Sequence, residues 1–457
     1  MVLLQSCGGG SIIRVSVIGT GYVGLVTGVC LAEKGHKVVC VDIDESKIQK
    51  IGEGVSPIFE KGLGRLLRKN IGTNLSATTD LYSSVVNTDV TFIAVGTPFS
   101  NGEIDLKFIK EASSQIGKAI QSKCTYHLVV VKSTVVPGTT DSVVTPIVEF
   151  ASGKKAGVDF GVGMNPEFLT EGQAVEDFMS PDRIVIGGND EVTISTLENL
   201  YSVFQGVPKF CTNNKTAEMI KYTSNAMLAS SISFANEIGN LCSALGGIDA
   251  VDVMKGLHLS KYLRPVSTTG EHVQAPLSSF FEAGCGFGGS CLPKDVKAII
   301  AQGEKLGLEM PILRSVIKTN EQQPRRILEI LKRFLPSLNG VRVAVLGLSF
   351  KPDTNDMRES PAVPIIRLLV AEGATITAYD PVAIPEARKI FADQDVRFQD
   401  SLFQAVKDVE AIVIVTKWKE FEKLPGMLRK AKTQPVVVDG RRMLDKASII
   451  NYSGIGL

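Results

Sequence analysis

The residues best suited to chemistry lie in the segment 287–295, which reads Phe-Gly-Gly-Ser-Cys-Leu-Pro-Lys-Asp. Cys291 precedes Pro293, a residue that favours the first turn of a helix, so a helix is predicted to begin there. A thiol at a helix N-terminus with Lys294 close by has a lowered pKa and can act as a nucleophile. Asp295 follows one helical turn after the cysteine. Because a single cysteine is more often an inert core residue, this assignment depends on the rest of the chain.

Two polar residues of a long helical segment are a second candidate group. Residues 213–247 contain no proline, and their apolar side chains recur at helical spacing. This pattern predicts one helix of about 30 residues, ~45 Å long. Lys221 and Asn225 are four positions apart and therefore share one face of that helix. A pair of this kind is more often a solvated polar stripe, and a helix of this length commonly links domains or forms a dimer interface.

Further polar side chains follow predicted strands at their carboxyl ends, where doubly wound folds bind ligands. Glu167 and Glu171 lie four residues apart in 165–172 (NPEFLTEG), and Thr134 lies in 132–140 (KSTVVPGTT). Capping or loop roles explain these residues equally well.

The elements that would position these groups begin with a strand over 12–19 and the loop Gly19-Thr20-Gly21-Tyr22-Val23-Gly24. In this pattern the first glycine makes a tight turn, the second lets the backbone approach a pyrophosphate, and the third lets helix pack on strand. The following helix offers its N–H groups to the anion. Asp42 ends the next strand, where its carboxylate can bind a ribose diol and repel a 2′-phosphate, which favours NAD over NADP. A glycine-rich turn without a ligand is the alternative.

The strand pattern predicts the fold class, which is α/β with two Rossmann-like doubly wound domains joined by a long central helix and a helical middle domain. Runs rich in Val and Ile, separated by helical segments, are typical of parallel strands covered on both faces. The predicted strands are 12–19, 36–42, 90–95, 127–132, 158–165, 183–188, 341–348, 374–381, 411–416 and 435–440. The predicted regions are a disordered or non-native leader (1–11), a cofactor domain (12–212), a helical domain carrying Cys291 (213–317) and a second nucleotide-type domain (318–457).

Composition excludes several classes of protein. Among 457 residues, 49 Lys and Arg nearly balance 48 Asp and Glu, which argues against binding to nucleic acid through phosphate neutralisation. No segment approaches the ~18 apolar residues that cross a bilayer. The eight cysteines include no C-x-x-C pair, which is typical of reduced, cytoplasmic proteins. With only four histidines, no metal site is expected.

The motifs together resemble those of the nucleotide-sugar 6-dehydrogenases, the UDP-glucose/GDP-mannose dehydrogenase family. The resemblance runs from Ile13 to about Leu444. The matching motifs occur in the order GTGYVG, VDID, VGTP, KSTV, NPEFLTEG, KYTSN, FGGSCLPKD, FKPDTNDMRES and DGRR. FGGSC together with NPEFL is the most specific combination.

The resemblance implies a four-electron oxidation of a sugar C6 alcohol to a carboxylate, with two NAD molecules and a thiohemiacetal and thioester on Cys291. The other implied catalytic residues are Lys221, Asn225, Asp295, Glu171, Thr134 and Glu167. The implied cofactor contacts are Gly19, Gly21, Tyr22, Val23, Gly24, Asp42, Lys47, Thr97, Thr134, Glu171, Cys291, Lys294 and Arg358. The implied substrate contacts are Glu167, Phe168, Leu169, Lys221, Asn225, Tyr262, Arg264, Phe287, Gly288, Cys291, Phe350, Lys351 and Arg441. The family also implies a homodimer or a larger homo-oligomer.

One stretch departs from the family pattern. Tyr262 and Arg264 match residues that reach the substrate of a neighbouring subunit, but about twenty residues separate them from FGGSC here. This insertion is interpreted as a tolerated loop, with a reshaped pocket edge as the alternative.

Two rival functions are weighed against this one. β-Hydroxyacid dehydrogenases share the Lys–Asn pair but lack the cysteine and the second nucleotide domain. A sensor without activity would have lost part of the catalytic set, which is intact here. UDP-glucose is the favoured substrate, and GDP-mannose or another nucleotide sugar stays open.

Overall fold

The computed structural model describes residues 12–267, 270–429 and 434–457. The chain divides into two compact units, Met1–Thr223 and Ser224–Leu457. Each unit contains its own extended sheet, and helices pack on both faces of each sheet. The predicted fold class is confirmed.

The first unit is an alternation of strands and helices, because apolar β-branched runs alternate with amphipathic segments. Its strands are β1 (Arg14–Ile18), β2 (Lys37–Val41), β3 (Leu75–Thr78), β4 (Val90–Ile93), β5 (Phe99–Ser100), β6 (Glu103–Ile104), β7 (His127–Val131), β8 (Phe160–Met164), β9 (Ile184–Gly188) and β10 (Lys209–Thr212). Its helices are α1 (Tyr22–Glu33), α2 (Glu45–Gly52), α3 (Leu63–Asn70), α4 (Leu81–Val86), α5 (Lys107–Gln121), α6 (Thr145–Ser152), α7 (Ala174–Met179) and α8 (Glu191–Leu200).

Eight strands of this unit form one sheet in the order β10-β9-β8-β7-β4-β1-β2-β3, while β5 and β6 form a separate hairpin. The expectation of parallel strands is correct for every pair of the large sheet except β8 and β9, which are antiparallel. The segment 183–188 was therefore predicted with the wrong direction. An apolar run reports that a strand is buried, but it carries no information on the strand's direction.

The core of the first unit lies on both faces of this sheet. One cluster joins α1, α3, α7 and α8 to side chains such as Val15, Val17 and Phe92. The other joins α5 and α6 to Ile93, Val129 and Val131. Burial on both faces fixes the strand ends, and the loops that follow them emerge at one edge.

The second unit repeats this architecture with six parallel strands in the order β13-β12-β11-β14-β15-β16. The strands are β11 (Arg342–Leu346), β12 (Thr375–Tyr379), β13 (Val396–Phe398), β14 (Ala411–Ile414), β15 (Val436–Asp439) and β16 (Tyr452–Gly454). Its helices are α10 (Ala250–His258), α11 (Leu292–Lys305), α12 (Pro311–Phe334), α13 (Ala362–Ala371), α14 (Ile384–Ile390), α15 (Leu402–Ala405) and α16 (Leu424–Leu428).

The predicted long helix is confirmed. Helix α9 (Asn214–Leu245) has 32 residues, beginning in the first unit and ending in the second. Helix α12 contains Pro324 and continues without a break through residue 317, so the boundary proposed at 317/318 falls inside a helix. Proline in a sequence often ends a helix, and here it is tolerated in the interior.

Two described stretches at the start of the insertion, 263–267 and 270–275, are hydrogen-bonded to each other. Ala275 donates its backbone N–H to Leu263 at 2.9 Å, and Val273 donates to Pro265 at 2.9 Å. An antiparallel bridge joins Val266 and His272. These backbone pairs are compatible with the interpretation of the insertion as a tolerated loop.

Among the described residues, no helix combines the length and the apolar character that a bilayer crossing requires. The predicted leader, residues 1–11, lies outside the described residues.

Candidate active site

The loop after β1 has the shape that its three glycines predict. Gly19 has φ of 96°, and a Cβ there would lie 2.7 Å from the carbonyl oxygen of Ala94. A Cβ on Gly24 would lie 1.9 Å from the carbonyl oxygen of Gly19, so any larger residue would separate helix from strand. A Cβ on Gly21 would meet nothing within 4 Å, which leaves open space over the start of α1. Tyr22 and Val23 begin that helix, and no side chain caps it. This cradle fits a dinucleotide pyrophosphate.

Asp42 follows β2 beside this loop, as predicted. One carboxylate oxygen accepts hydrogen bonds from the backbone N–H and the hydroxyl of Thr20, at 2.8 and 2.7 Å. The other oxygen accepts from Asp44 N–H at 3.1 Å, and Lys47 Nζ lies 3.9 Å from the carboxylate. Burial alone would raise the pKa of Asp42, but the Thr20 hydrogen bonds and the other donors hold it below its usual value. Asp42 is therefore a fixed anion at the position where a ribose is expected.

Two further contacts order the loops at this edge of the sheet. The hydroxyl of Thr97, after β4, donates to the carbonyl oxygen of Thr134, after β7, at 2.8 Å. The hydroxyl of Tyr22 donates to Glu60, which also accepts the backbone N–H of Gly172 at 2.7 Å. The structure thus brings the predicted residues of three different loops to one edge.

A buried ion pair follows β8. Lys221 of α9 places its Nζ 3.1 Å from Oε1 of Glu167, and both side chains are at least nine-tenths buried. The other oxygen of Glu167 accepts the backbone N–H of Leu169 at 2.6 Å. Burial raises the pKa of Glu167, but Lys221, the Leu169 N–H and the nearby Lys132 together bring it below its ordinary value. Glu167 is therefore a carboxylate, and Lys221 is held as its ammonium partner.

Phe168 lies beside this ion pair. The guanidinium of Arg183 stacks over its ring at 4.1 Å, and Lys221 Nζ lies 5.5 Å from the ring centre. Glu171 lies in the turn before α7, half-buried, in the same loop. The segment 165–172 thus collects the predicted acidic and aromatic groups of the first unit.

In the second unit, Cys291 occupies the position that its sequence predicts. It is the N-cap residue of α11, with Pro293 in the first turn, and its carbonyl oxygen accepts the N–H of Asp295 at 2.9 Å. The hydroxyl of Ser290 lies 3.5 Å from the cysteine sulfur. The half-buried thiol is at the N-terminal end of α11.

The two glycines before this cysteine are packed against the loop 350–360. A Cβ on Gly288 would lie 2.2 Å from the carbonyl oxygen of Glu359, and one on Gly289 would lie 2.7 Å from the ring of Phe350. The N–H of Gly289 donates to the carbonyl oxygen of Arg358 at 2.9 Å. Phe350 and Arg358, both predicted site residues, are thereby joined to the cysteine loop. Lys351 follows Phe350, with its Nζ 5.9 Å from that ring.

Asp295 forms a second buried charged group, on the first turn of α11. It accepts hydrogen bonds from Asn225 Nδ2 and from Lys294 Nζ, both at 2.6 Å. Asn225 lies one turn after Lys221 along α9. The prediction that the Lys221–Asn225 face is more than a solvated stripe is consistent with this geometry, because both residues are buried.

The segment before Cys291 is also held by a residue that sequence reasoning did not identify. Asn320 of α12 accepts the N–H of Phe287 at 2.7 Å and donates to its carbonyl oxygen at 3.0 Å. The amide of Asn320 therefore makes both of the hydrogen bonds that a neighbouring strand would make, and it fixes the backbone of Phe287.

Basic side chains line a cleft in the second unit, near the carboxyl ends of β14 and β15. Arg441 follows β15, and its Nε donates to the carbonyl oxygen of Val415 at 2.6 Å. The cleft measures about 140 Å³, and its charged lining includes Arg441, Arg442, Lys417, Lys255 and Glu282.

The loop after β11 differs from its counterpart after β1. Asp380, at the end of β12, is 1% exposed and accepts hydrogen bonds from the N–H groups of Leu348 and Ser349 at 2.7 and 3.1 Å. It also accepts from the indole of Trp418 at 3.0 Å and from the N–H of Ala383 at 2.9 Å. This carboxylate is saturated by its own chain, so it cannot bind a ribose as Asp42 can.

Tyr262 and Arg264 are not brought into either group. Both lie in an exposed turn after α10, where Tyr262 is 83% exposed. The prediction that they reach a neighbouring subunit is not tested within one chain.

Sequence reasoning missed three other residues that shape these groups: Glu60, Lys132 and Arg183. All three have charged side chains, Lys132 lies in the KSTV motif without being singled out there, and the partners of Glu60 and Lys132 are distant in sequence. The one available signal was Lys132, a charged residue directly after the apolar run Leu128–Val131 of β7.

Three consecutive segments of the chain match family models. These are the NAD-binding domain of the UDP-glucose/GDP-mannose dehydrogenase family over residues 13–205, its central domain over 215–322 and its UDP-binding domain over 344–446.

Individual relatives agree with these models. The chain is 41% identical over 448 residues to the UDP-glucose 6-dehydrogenase AglM of Haloferax volcanii, covering 97% of this chain and 100% of that protein. It is 38% identical to the GDP-mannose 6-dehydrogenase of Pseudomonas syringae, covering 92% and 94% of the two chains. Among solved structures, a UDP-glucose dehydrogenase from Pyrobaculum islandicum has a TM-score of 0.90 at 40% identity, covering 99% of both chains.

A dinucleotide cradle beside one sheet and a second nucleotide-type sheet define an NAD-dependent dehydrogenase with two nucleotide-type domains. The matches extend that description over nearly the full length. The chain belongs to the UDP-glucose/GDP-mannose dehydrogenase family, as the sequence motifs predicted.

Proposed function

We propose that this enzyme oxidises UDP-glucose at C6 to UDP-glucuronate and forms two NADH in each turnover. The observation that carries the proposal is Cys291, which is held at the start of α11 by a glycine loop and has the buried Asp295 one turn away, hydrogen-bonded to Asn225. Full-length similarity to UDP-glucose 6-dehydrogenases supports the choice of substrate. We retain three functional regions: 12–212 for the cofactor, 213–317 for the thiol and 318–457 for the sugar nucleotide.

The first unit would bind NAD through Gly19, Gly21 and Gly24 at the pyrophosphate and through Asp42 and Lys47 at the ribose. Oxidised NAD, when bound, supplies the hydride acceptor for both oxidations. Family resemblance adds further contacts from Tyr22, Val23, Thr97, Thr134, Glu171, Lys294 and Arg358.

Cys291 would hold the reaction between its two oxidations. Its sulfur adds to C6 of the aldehyde and gives a thiohemiacetal, and loss of a hydride from that carbon gives a thioester. Water then breaks the C–S bond, which releases the carboxylate and returns the thiol. A covalent intermediate of this kind prevents the reactive aldehyde from leaving the enzyme.

Charged neighbours would stabilise the oxyanions of these steps. Lys221 is an ammonium held by Glu167, and Asn225 would donate a second hydrogen bond. Asp295 and Thr134 would orient water, and Glu171 would act as the general base.

The residues that would hold the sugar nucleotide are those that family resemblance assigns to it. They are Phe168, Leu169, Phe287, Gly288, Phe350, Lys351 and Arg441, with Tyr262 and Arg264 offered to a neighbouring subunit. The basic cleft beside Arg441 has the charge that a diphosphate requires.

Stoichiometry tests this proposal directly. We expect two NADH for each UDP-glucose consumed, measured by absorbance and by chromatography of the sugar nucleotides. Cys291→Ala should bind NAD and UDP-glucose but form no UDP-glucuronate, whereas Cys124→Ala, which removes an exposed thiol, should behave as the wild type. One NADH with a released aldehyde, or uronate formation by Cys291→Ala, would contradict the mechanism.

GDP-mannose is the second candidate, because GDP-mannose 6-dehydrogenases are also similar over the full length. Comparing kcat/KM for UDP-glucose, GDP-mannose, UDP-galactose and the N-acetylated sugars decides between them. We expect UDP-glucose to exceed the others by at least about ten-fold, a discrimination of ~1.4 kcal/mol.

The same enzyme is proposed to be a homodimer or a larger homo-oligomer. Helix α9 exposes an apolar stripe of Met227, Phe234, Leu241 and Leu245, spaced by seven, seven and four residues. A repeat of this kind is typical of helix pairing. Light scattering should give at least twice the mass of one chain, and Phe234→Glu should reduce it, while Phe150→Glu at an exposed position of α6 should not.

We place the enzyme in the cytoplasm and expect neither nucleic acid nor a membrane among its partners. The described cysteines support this, since none of those at 30, 40, 124, 211, 242 and 285 forms a disulfide.

A further inference from the structure

Lys132 is a buried charged residue to which the mechanism gives no part. It follows β7 directly, and only 5% of it is exposed. Its Nζ donates a hydrogen bond to Oδ1 of Asn165 at 2.7 Å. Among the residues that the structure describes, this amide oxygen is its one hydrogen-bond acceptor. A buried ammonium with a neutral partner is costly, so its presence calls for a reason.

Asn165 is itself fixed in place. Its Nδ2 donates to the carbonyl oxygen of Val185 at 2.8 Å, and its Oδ1 also accepts the hydroxyl of Tyr201 at 2.5 Å. The amide therefore cannot rotate to follow the lysine. It holds the ammonium of Lys132 at one point, two residues before Glu167 in the same loop.

The charges around this point are two cations and one anion. Lys132 and Lys221 are the cations, Glu167 is the anion, and all three are more than nine-tenths buried. Burial lowers the pKa of Lys132 to about 8; Glu167 raises it, and Lys221 lowers it further. The other ionisable groups here are Tyr201, whose pKa burial raises, and Arg183, which stacks on Phe168.

Lys132 and Glu167 each shift the pKa of the other. Lys132 is among the groups that lower the pKa of Glu167 against the effect of burial, after Lys221 and the Leu169 N–H. If the Lys132 charge were absent, Glu167 would bind a proton more readily. A protonated Glu167 would no longer hold Lys221 as an ion pair.

We infer that Lys132 is a positioning residue that acts through Glu167: its ammonium, fixed by Asn165, keeps Glu167 ionised and so keeps Lys221 in place for the reaction. The inference rests on the proposed function, because Lys221 is the group proposed to stabilise the oxyanion. The three side chains together carry one excess positive charge, which suits a site where an alkoxide and a tetrahedral oxyanion develop.

The test uses the pH dependence of kcat with the full-length enzyme and its best nucleotide sugar. Lys132→Met removes the charge and keeps much of the volume. We expect the acid limb of the profile to move upward by about half a unit to one unit, with kcat near pH 6 falling several-fold and the KM for NAD unchanged. An acid limb identical to that of the wild type would overturn the inference.

A matched control separates this effect from simple loss of stability. Lys123 is also buried with a pKa lowered by burial, and its Nζ donates to the carbonyl oxygens of Val85, Val86 and Thr88. Lys123→Met should destabilise the enzyme without moving the acid limb. An equal movement in both variants would overturn the inference.

A double variant tests whether the effect passes through Glu167. In a Glu167→Gln background, Lys132→Met should cause no further movement of the acid limb; a full additional movement would refute the route through Glu167. If Lys132→Met does not fold, Lys132→Arg is used instead. Arginine keeps the positive charge, so the acid limb should stay at its wild-type position, and an upward movement of the acid limb would count against the role of Lys132.

The pH dependence of thermal stability tests the buried charge of Lys132 without any substrate. Because the folded pKa of Lys132 is below its unfolded value, the unfolded chain binds more protons between about pH 8 and 10.4, and stability contributed by this site rises over that range. The thermal midpoint of the wild type should therefore rise relative to that of Lys132→Met across this window. If the enzyme were inactive with UDP-glucose, only the proposed function would be refuted. If the difference in thermal midpoint between the wild type and Lys132→Met did not change across this pH window, the buried charge at Lys132 would be refuted.

Discussion

Gly288→Ala offers the sharpest test of how the cysteine loop is held. The new Cβ would lie 2.2 Å from the carbonyl oxygen of Glu359, 2.8 Å from its carbonyl carbon and 3.1 Å from Cα of Ser360. All three atoms belong to the backbone, so rotation of a side chain cannot relieve the contact. Glu359 already has a φ of 51°, in the left-handed region, which leaves little room for adjustment.

The expected magnitude follows from these distances. A carbon–oxygen contact needs about 3.3 Å, so the two loops must separate by roughly 1 Å, and the hydrogen bond from Gly289 to Arg358 would lengthen with them. Overpacking and the weakened hydrogen bond together should cost about 2–4 kcal/mol. Because Cys291 follows three residues later, a displacement of this size should lower kcat by about 100-fold.

The assay combines urea unfolding with initial rates of NADH formation. Gly256→Ala is the matched control, since its Cβ would meet nothing within 4 Å on α10. The same substitution in a helix interior should raise stability by about 0.5–1 kcal/mol and leave kcat unchanged. If Gly288→Ala had the unfolding midpoint and kcat of the wild type, the close packing of the two loops would be refuted.

Three other predictions concern stability and cofactor binding. Gly24→Ala places a Cβ 1.9 Å from the carbonyl oxygen of Gly19, so it should abolish NAD binding measured by calorimetry, and NAD binding at wild-type affinity would contradict the cradle. Asp249 is paired with Arg442 at 2.9 Å, and its pKa is lowered to about 2 by hydrogen bonds from that residue that outweigh burial. The stability that the ionised Asp249 contributes is present above about pH 4 and is lost as the pH falls toward 2. Asp249→Asn should therefore lower the free energy of unfolding at pH 7 by roughly 1–2 kcal/mol, while the exposed Asp252→Asn should change it by less than about 0.5 kcal/mol. Burial lowers the pKa of His127 to about 3. Between about pH 6.5 and pH 3 this histidine is protonated in the unfolded chain but not in the folded one, so the free energy of unfolding falls as the pH drops below about 6.5. His127→Gln should flatten that fall in thermal scans.

Local signals explain which parts of the molecule could be predicted. Strands β1 (RVSVI) and β7 (HLVVV) are rich in valine and isoleucine or leucine, and the Gly19–Gly24 loop and the helix after Cys291 are specified within a few residues. Strands β3 (LSAT) and β10 (KFCT) were missed, because each is four residues long with few apolar side chains and forms a strand only through its neighbours.

The site residues also divide into those that the sequence identifies and those that only the structure identifies. Cys291, Asp295 and Glu167 belong to short motifs and were found. Lys132 was not singled out although it begins the KSTV motif, and Glu60 was not found, since Lys132 meets its partner 33 residues away and Glu60 meets Gly172 across 112 residues. Only the folded chain brings these groups together.

The two aspartates that follow the second strands of the two sheets differ in how many hydrogen bonds they receive. Asp42 keeps three hydrogen bonds from its own chain, whereas Asp380 receives six, from Leu348, Ser349 twice, Val382, Ala383 and the Trp418 indole. If the two halves descend from one duplicated module, this residue marks where they diverged. A protein engineer who restored the missing glycines after β11 would still not obtain a second dinucleotide site. Trp418 and Ser349 would also have to release the carboxylate.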